Sequence, residues 1–401
     1  MPLSQVQFPP DAAGVVSLLL FAGTCVGHTA VILYCLNWLY GCALPRGFLR
    51  QLRRVCEAVI LASPFVFWYF FGFDFLAAAE RTAGPVRYYL LAGYGTLCIV
   101  LGLIVVPALT IWRLVRRPPA VLVGNDTELF DVEKQLGYKP VGRGKRHREI
   151  AARLPLNQLF QVEFSVRTFR LPQLPAAWDG LSILHLSDLH LCGIPDRVFY
   201  ERVMARCRDW DPDLVAVTGD IIDSDEHHRW IVPLLGRLRW REAAYAILGN
   251  HDSYRDPSLV RRRLRRIGMR VLGNSWEQTT LRGVPLVLIG NEMPWFRPAA
   301  DLSDCPSDVF RLCLSHTPDQ IAWAKENHID LVLAGHVHGG QIRVPVIGSL
   351  FVPSRYSRKY DCGSFHEPPT VMHVSRGLAG QHPLRFHCRP EVTKIVLRTV
   401  S

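Results

Sequence analysis

The 401-residue chain contains no CxxC pair, and its eleven cysteines are an odd number dispersed from Cys25 to Cys388. That distribution excludes a disulfide framework and suits a reducing compartment. Basic residues exceed acidic ones, 46 to 35, yet they gather in no low-complexity tail and in no aromatic-interleaved basic motif. Nucleic acid is therefore not an expected partner. Between Gly14 and Tyr40 there is not one Lys, Arg, Asp or Glu, and the tail before this run has no basic residue. The run is too long for a signal-peptide core and lacks the positive region that precedes one, so it reads as a membrane span.

Two further apolar stretches follow, Val55–Leu76 and Tyr88–Trp112. Residues 1–117 are thus expected to form a membrane domain with three transmembrane helices. Arg46, Arg50, Arg53 and Arg54 crowd the first loop, and Arg113, Arg116 and Arg117 follow the third span. Positive loops stay in the cytoplasm. The N-terminus is expected outside and everything beyond Arg113 inside. His28 lies mid-span without an ionisable partner at matching depth, and reads as a neutral packed histidine.

Residues 118–156 read as a linker that ends the third helix at Pro118-Pro119 and carries a small basic cluster, Gly142–Arg148. Such a cluster is a solvated connection or a contact to anionic lipid headgroups. Residues 157–401 alternate short apolar runs with helical patterns, which predicts an α/β domain. Strands are expected at Ser182–Leu186, Leu214–Thr218, Ala243–Leu248, Leu312–Leu314 and Leu331–Ala334. Val284–Ile289 and Thr393–Leu397 are expected in a second sheet packed on the first. The arginine-rich helix after Pro257 has an apolar stripe, which leaves its arginines on the wet side.

Seven residues of metal-ligand type each fall just after one of those strands: Asp188, His190, Asp220, Asn250, His316, His336 and His338. Ligands gather at the carboxyl edges of such sheets. Two carboxylates, an amide and four imidazoles, with no thiolate, suit a pair of divalent ions such as Mn²⁺, Fe²⁺ or Zn²⁺. Two such ions can clamp a phosphoryl group and ionise a water between them. Asp220 is the natural bridging carboxylate. His251, next to Asn250, can point into the same cleft as general acid. Asp223, three residues after Asp220, can accept a hydrogen bond from His251 and hold it oriented and cationic. His185, inside a strand, reads as packing.

The motifs Asp188-x-His190, Gly219-Asp220-x-x-Asp223, Gly249-Asn250-His251-Asp252, His316 and Gly335-His336-x-His338 resemble the signature of the calcineurin-like metallophosphoesterases over roughly residues 160–400. The resemblance implies a two-sheet α/β sandwich. It further implies one metal on Asp188, His190, Asp220 and His338, and another on Asp220, Asn250, His316 and His336. The run Gly335–Gln341 and the tail Arg385–Glu391 are similar to a membrane-associated bacterial branch that includes UDP-2,3-diacylglucosamine pyrophosphatases. The threonine usual between the last two histidines is Val337 here. The resemblance implies a phosphate-bearing small-molecule or lipid substrate, and the spans with their positive loops make the expected enzyme a multi-pass protein of the inner membrane with a cytoplasmic active site. A phosphodiesterase of soluble nucleotides and a non-catalytic membrane sensor or scaffold are the competing readings.

Overall fold

The computed structural model describes residues 10–71, 85–380 and 382–400. The chain divides into two compact units, Met1–Tyr40 with Leu44–Arg117, and Gly41–Ala43 with Pro118–Ser401. The first unit contains α1 (Pro10–Tyr40), α2 (Arg46–Phe71) and α3 (Pro85–Val100). A π-turn at Leu101–Val105 carries α3 on into α4 (Val106–Val115). A Cβ on Gly27 of α1 would strike the Cys98 backbone, and one on Gly102 would strike the backbone of Gly23 in α1. Small residues four apart allow this close approach of apolar helices. His28 Nδ1 lies 2.6 Å from the Tyr94 hydroxyl, and its ring meets Phe67 edge-on, so the histidine has a local polar partner.

Two helices are long and apolar enough to cross a membrane, Gly14–Tyr40 and Tyr89–Val115. The expected third, Val55–Leu76, is not a clear one. The helix that contains its first part opens on four arginines, pairs Arg53 with Glu57 at 2.7 Å and has Pro64 in its interior. Residues 72–76 lie outside the described residues.

The second unit is built on two mixed sheets. The first comprises β1 (Leu122–Asp131), β2 (Gln161–Arg170), β3 (Ser182–Leu186), β4 (Leu214–Thr218), β5 (Ala243–Ile247) and β6 (Arg270–Val271). The second comprises β7 (Trp276–Leu281), β8 (Val284–Asn291), β9 (Arg311–Ser315) and β10 (Leu331–Ala334). After a small hairpin of β11 (Arg343–Val344) and β12 (Gly348–Ser349), it is completed by β13 (Gly363–Glu367) and β14 (Thr370–Val374). The last strand, β15 (Glu391–Arg398), returns to the first sheet. The orders are β1-β2-β15-β3-β4-β5-β6 and β13-β14-β10-β9-β8-β7. In each, the central neighbours run parallel: β3, β4, β5 and β6 in one, β14, β10, β9 and β8 in the other.

Parallel strands must be covered on both faces, which is why β3, β4, β9 and β10 are buried along their length and largely apolar. Ile183, Ala216, Ile247, Leu312, Leu314 and Leu333 share one core cluster, where the two sheets meet. The alternate residues Leu184, Leu186, Val215 and Val217 pack with Phe199, Val203, Ile231 and Val260 from the helices outside.

Three expectations need correction. Thr393–Leu397 belongs to β15 in the first sheet, between β2 and β3, and not to the second. Residues 118–156 are more than a linker, since β1 pairs antiparallel with β2 along most of its length. Two helices, α5 (Val132–Leu136) and α6 (Arg146–Arg153), follow it. Polar side chains such as Asn125, Asp126, Thr127 and Glu128 hid β1, because an edge strand needs little apolar content. Arg261 is not wholly on the wet side: its guanidinium grips Glu292, with one contact of 3.0 Å, and lies over Phe296.

An ion-pair network locks β15 in place. The fully buried Glu391 accepts from Arg167 at 2.8 Å and from Arg376 at 3.1 Å, and Arg376 reaches Glu163 at 2.6 Å. Burial opposes the charge on Glu391, but Arg376 and Arg167 outweigh it and hold the carboxyl well below its ordinary value of 4.5. That stabilisation is complete at neutral pH and disappears as pH falls through the lowered folded-state value. Removing one partner of a buried pair costs about 3–5 kcal/mol. Glu391→Gln is therefore expected to unfold at a markedly lower temperature in a thermal melt at neutral pH, with a weaker acid dependence. An unchanged melting temperature would refute this role.

Candidate metal centre

The seven candidate ligands sit on loops that leave the carboxyl ends of β3, β4, β5, β9 and β10. Asp188 and His190 follow β3, Asp220 follows β4, and Asn250 opens α7 (Asn250–Ser253) after β5. His316 follows β9, and His336 and His338 follow β10. The loops bind one another through their backbones. Asp188 N–H donates to Gly219 O at 3.0 Å, His190 N–H to Asp220 O at 2.9 Å and Gly335 N–H to His316 O at 3.0 Å. Crossing between loops, His251 N–H donates to Asp220 Oδ1 at 2.8 Å and His336 N–H to Asp188 Oδ1 at 3.1 Å.

Five of the seven have left-handed backbones: Asp188, His190, Asp220, His336 and His338, with φ between 44° and 71°. For non-glycine residues this costs of order 1–3 kcal/mol each and persists only where the surroundings enforce it. The motif glycines have a different reason. A Cβ on Gly249 would strike the Asp220 carboxylate and the His316 ring, and one on Gly335 would strike Ser187 and Asp188.

The side chains converge as two groups. Asp188, His190, Asp220 and His338 each offer one atom within 4.8 Å of the others, and so do Asp220, His316 and His336. Asp220 belongs to both, and its oxygens are divided: Oδ2 lies 3.6 Å from His190 Nε2, and Oδ1 lies 3.4 Å from His316 Nε2. Asn250 Oδ1 is 2.9 Å from His316 Nε2, which adds the amide to the second group.

These atoms fit a pair of cations. His316 Nδ1–H donates to the Thr218 carbonyl at 2.8 Å, which turns the Nε2 lone pair toward Asn250 Oδ1. Two acceptors at that distance need a proton or a cation between them, and a divalent ion would satisfy both. His190 repeats the arrangement: Nδ1 faces Asp223 Oδ1 at 3.1 Å, so Nε2 faces His338 Nε2 at 3.2 Å. Asp220 Oδ2 and His336 Nε2 are buried without a hydrogen-bond partner. The donor set, all oxygen and imidazole nitrogen, suits divalent first-row ions.

Electrostatics point the same way. Burial disfavours the ionised forms of Asp188 and Asp220, but the surrounding imidazoles outweigh it and hold both carboxyls low. Burial also opposes charge on His316, yet Asp220 pushes it up to about 9. His336 is pushed down to about 3, by burial first and then by His316. The site thus holds two buried, ionised carboxylates, which nearby positive charge and backbone N–H donors stabilise.

Asp223 and His251 also meet. Asp223 Oδ1 accepts from His251 Nδ1 and from His190 Nδ1, so one carboxylate orients both rings. The sequence showed the first contact and not the second. Several other residues lacked a signal. Asp252 accepts from the N–H groups of Ile221, Ile222 and Gly249, and burial together with Asp220 raises it to about 7. Only its place in the Gly249–Asp252 motif marked it. Arg385, fully buried, donates to His338 O at 3.1 Å and Arg376 O at 2.9 Å. Trp295 stands over His336 and His316, with ring centroids 4.7 and 5.4 Å away. His185 is fully buried and bonded to Thr218 Oγ1 at 2.9 Å, as a packing residue should be. Val337 packs in an apolar cluster.

Comparison with known proteins gives this geometry a context. The calcineurin-like phosphoesterase family matches residues 181–340. The uncharacterized metallophosphoesterase YkuE of Bacillus subtilis (strain 168) is 30% identical over 249 residues, 60% of this chain and 87% of that protein. The phosphodiesterase YaeI of Escherichia coli (strain K12) is 30% identical over 223 residues, 54% of this chain and 81% of that one. The UDP-2,3-diacylglucosamine pyrophosphatase LpxG of Chlamydia muridarum (strain MoPn / Nigg) is 25% identical over 281 residues, 56% and 85% of the two chains. The matched region contains all seven candidate ligands, with Asp223 and His251. The chain belongs to the calcineurin-like phosphoesterases and is a metal-dependent phosphoric ester hydrolase.

Proposed function

We propose that the chain is a membrane-anchored phosphoesterase that holds two divalent metals and cleaves a phosphodiester or pyrophosphate bond in a lipid-linked molecule. The observation that carries this reading is the divided carboxylate of Asp220, one oxygen facing His190 and the other His316. In this reading Asp188, His190, Asp220 and His338 hold one ion, and Asp220, Asn250, His316 and His336 hold the other. When bound, such a pair supplies Lewis-acid charge to the phosphoryl oxygens and acidifies water. Mn²⁺, Fe²⁺ and Zn²⁺ all suit these donors.

The protein's own groups handle the proton. His251 gives Nδ1–H to Asp223, which leaves Nε2 as the nitrogen able to face a leaving oxygen. Asp223 fixes the orientation of that ring. Because Asp223 also fixes His190, the acid and the ligand shell are held by one anchor.

Residues 1–117 act here as the anchor and 157–401 as the catalytic domain, with the 118–156 segment completing its sheet. The two membrane-length helices and the likeness to a UDP-diacylglucosamine pyrophosphatase support a lipid-linked nucleotide as substrate and an inner-membrane site facing the cytoplasm. An enzyme tethered in this way meets an amphiphile where it partitions. Likeness to a phosphodiesterase supports the wider class of diester bonds.

Three measurements test the reading. ³¹P analysis of products from the metal-loaded enzyme is expected to show cleavage of a nucleoside-diphosphate lipid. Turnover of dinucleotides alone would reject the lipid substrate. Metal analysis of Asp220→Asn is expected to show loss of at least one of the paired ions, and full retention would reject the bridge. His251→Gln is expected to keep its metals while kcat falls about 10²–10⁴-fold on substrates with poor leaving groups. The loss should be far smaller on bis-p-nitrophenyl phosphate, whose leaving group needs no proton. Equal losses on both would reject His251 as the acid.

A further inference from the structure

Exposed apolar residues on the second unit are concentrated. Of its twelve large hydrophobics that are well exposed among the described residues, three lie in 150–156 and four in 342–350. Soluble surfaces seldom gather such residues, and where they do the patch marks a membrane or protein contact.

The 342–350 segment is the β11–β12 hairpin. It leaves the loop that carries His336 and His338 with only Gly339–Ile342 between. Its base is fixed: Arg343 donates to Asp361 at 3.0 Å and to Gly339 O at 3.1 Å, and Ser349 Oγ donates to Asp361 at 2.5 Å. Its tip is Val346, 67% exposed, and Ile347, 38% exposed. A hairpin rigid at the base and apolar at the tip gains nothing for stability from that exposure.

The second segment ends α6 and continues to Leu156, which is 77% exposed. Ile150 and Leu154 are exposed with it, and Lys145, Arg146 and His147 at the start of the helix are exposed cations or a titratable ring. The two segments flank the same stretch. Asn157 donates to Pro383 O at 2.9 Å and accepts from Arg385 N–H at 3.0 Å, while Gln341 donates to His382 O at 3.1 Å. Arg343 N–H donates to Phe386 O at 2.9 Å. On the other side, α6 holds Arg148 against Cys192, two residues beyond His190, at 3.1 Å. Both apolar segments therefore connect directly to loops of the metal centre.

We propose that the 342–350 hairpin and the α6 segment form one membrane-surface contact that dips apolar side chains into an anionic leaflet and holds the metal centre at headgroup level. Exposed cations and apolar side chains on the α6 segment, together with the apolar hairpin tip, match the chemistry of an anionic bilayer, with phosphates for the first and acyl chains for the others. The same chain carries two membrane-length helices, so a bilayer is always within reach. A protein partner would need no such pairing of charge and apolar tip, and the family motifs account for neither segment. The contact is independent of the substrate proposed above, though it would explain how a lipid-linked one is presented.

The test uses the full chain reconstituted in phosphatidylglycerol–phosphatidylcholine vesicles, with Val346→Trp or Leu156→Trp, in ordinary and in acyl-brominated lipid. The emission added by the new tryptophan is expected to fall about two-fold or more in brominated vesicles, since the ring would lie at the acyl boundary. Equal added emission in the two lipids overturns the contact. A second protein carries Val346→Asp and Ile347→Asp. It is expected to hydrolyse bis-p-nitrophenyl phosphate within about two-fold of the parent while vesicle-borne pyrophosphate lipid turns over about ten-fold more slowly, as positioning is lost. Unchanged turnover of the lipid overturns the hairpin's role. Quenching in a parent that cleaves no lipid supports the contact and rejects the lipid-substrate reading, so the two fail separately.

Discussion

The buried, divided carboxylate of Asp220 is the constraint on which the rest of the structure depends. An ionised group with 1% exposure is tolerated only where positive charge surrounds it. Asp220 receives a backbone N–H from His251, faces His316 on one side and faces His190 on the other. Each neighbour must be held at its distance by its own loop, and each loop must leave its strand at the right residue. Left-handed backbones at five candidate ligands follow from this demand, because a chain leaving a buried strand has little room to aim a side chain back over the sheet edge. The glycines that precede Asn250 and His336 follow too, since the backbone itself approaches the carboxylates there.

Convergence from two sheets explains why the arrangement stays rigid. Asp188, Asp220 and Asn250 leave one sheet, and His316, His336 and His338 leave the other. The inner faces of the sheets share a packed core, so a shift at either edge would open that core. The Glu391 network adds a second link. Arg376 binds Glu391 at the start of β15, and the next residues donate Leu378 N–H to Ser187 O and Ala379 N–H to Asp188 O. The last strand of the chain therefore buttresses the first candidate ligand. Destabilising Glu391 should be felt at the metal centre, although 200 residues of sequence separate it from Asp188.

Much of the site was legible in the sequence because its chemistry demands residue types that nothing else explains. Asp188, His190, Asp220, Asn250, His316, His336 and His338 each stand just after an apolar run, and the strands that those runs form bring their ends to one edge. Asp223 was legible as a partner of His251 from spacing alone. Its bond to His190 was not, because that contact depends on how two loops cross in space. Arg385 and Trp295 were illegible for the same reason: nothing in the local pattern says that an arginine will bind the His338 carbonyl or that an indole will cover two imidazoles. At the fold level, β1 escaped notice because edge strands tolerate polar side chains on both faces. The placement of β15 escaped because periodicity states that a strand exists and not which sheet it joins. Helices long and apolar enough to cross a membrane were legible where charge is absent, and the Val55–Leu76 stretch is less clear because arginines open α2 and Pro64 lies inside it.

The limits of the phosphoesterase unit follow from hydrogen bonding more than from motifs. The family match begins at residue 181, yet β2 sits between β1 and β15, and β15 in turn pairs with β3, the strand that delivers Asp188. Cutting the chain just before residue 157 would strip β1 from β2 and expose a ladder of unpaired amides on a strand that supports the site. Cutting after Arg117 would leave that ladder whole. The segment between helix and motif is thus structural on one side, where β1 closes the sheet, and exposed on the other, where α6 and the residues after it present Ile150, Leu154 and Leu156. A single stretch thus both completes the sheet that supports the site and carries exposed apolar and basic side chains.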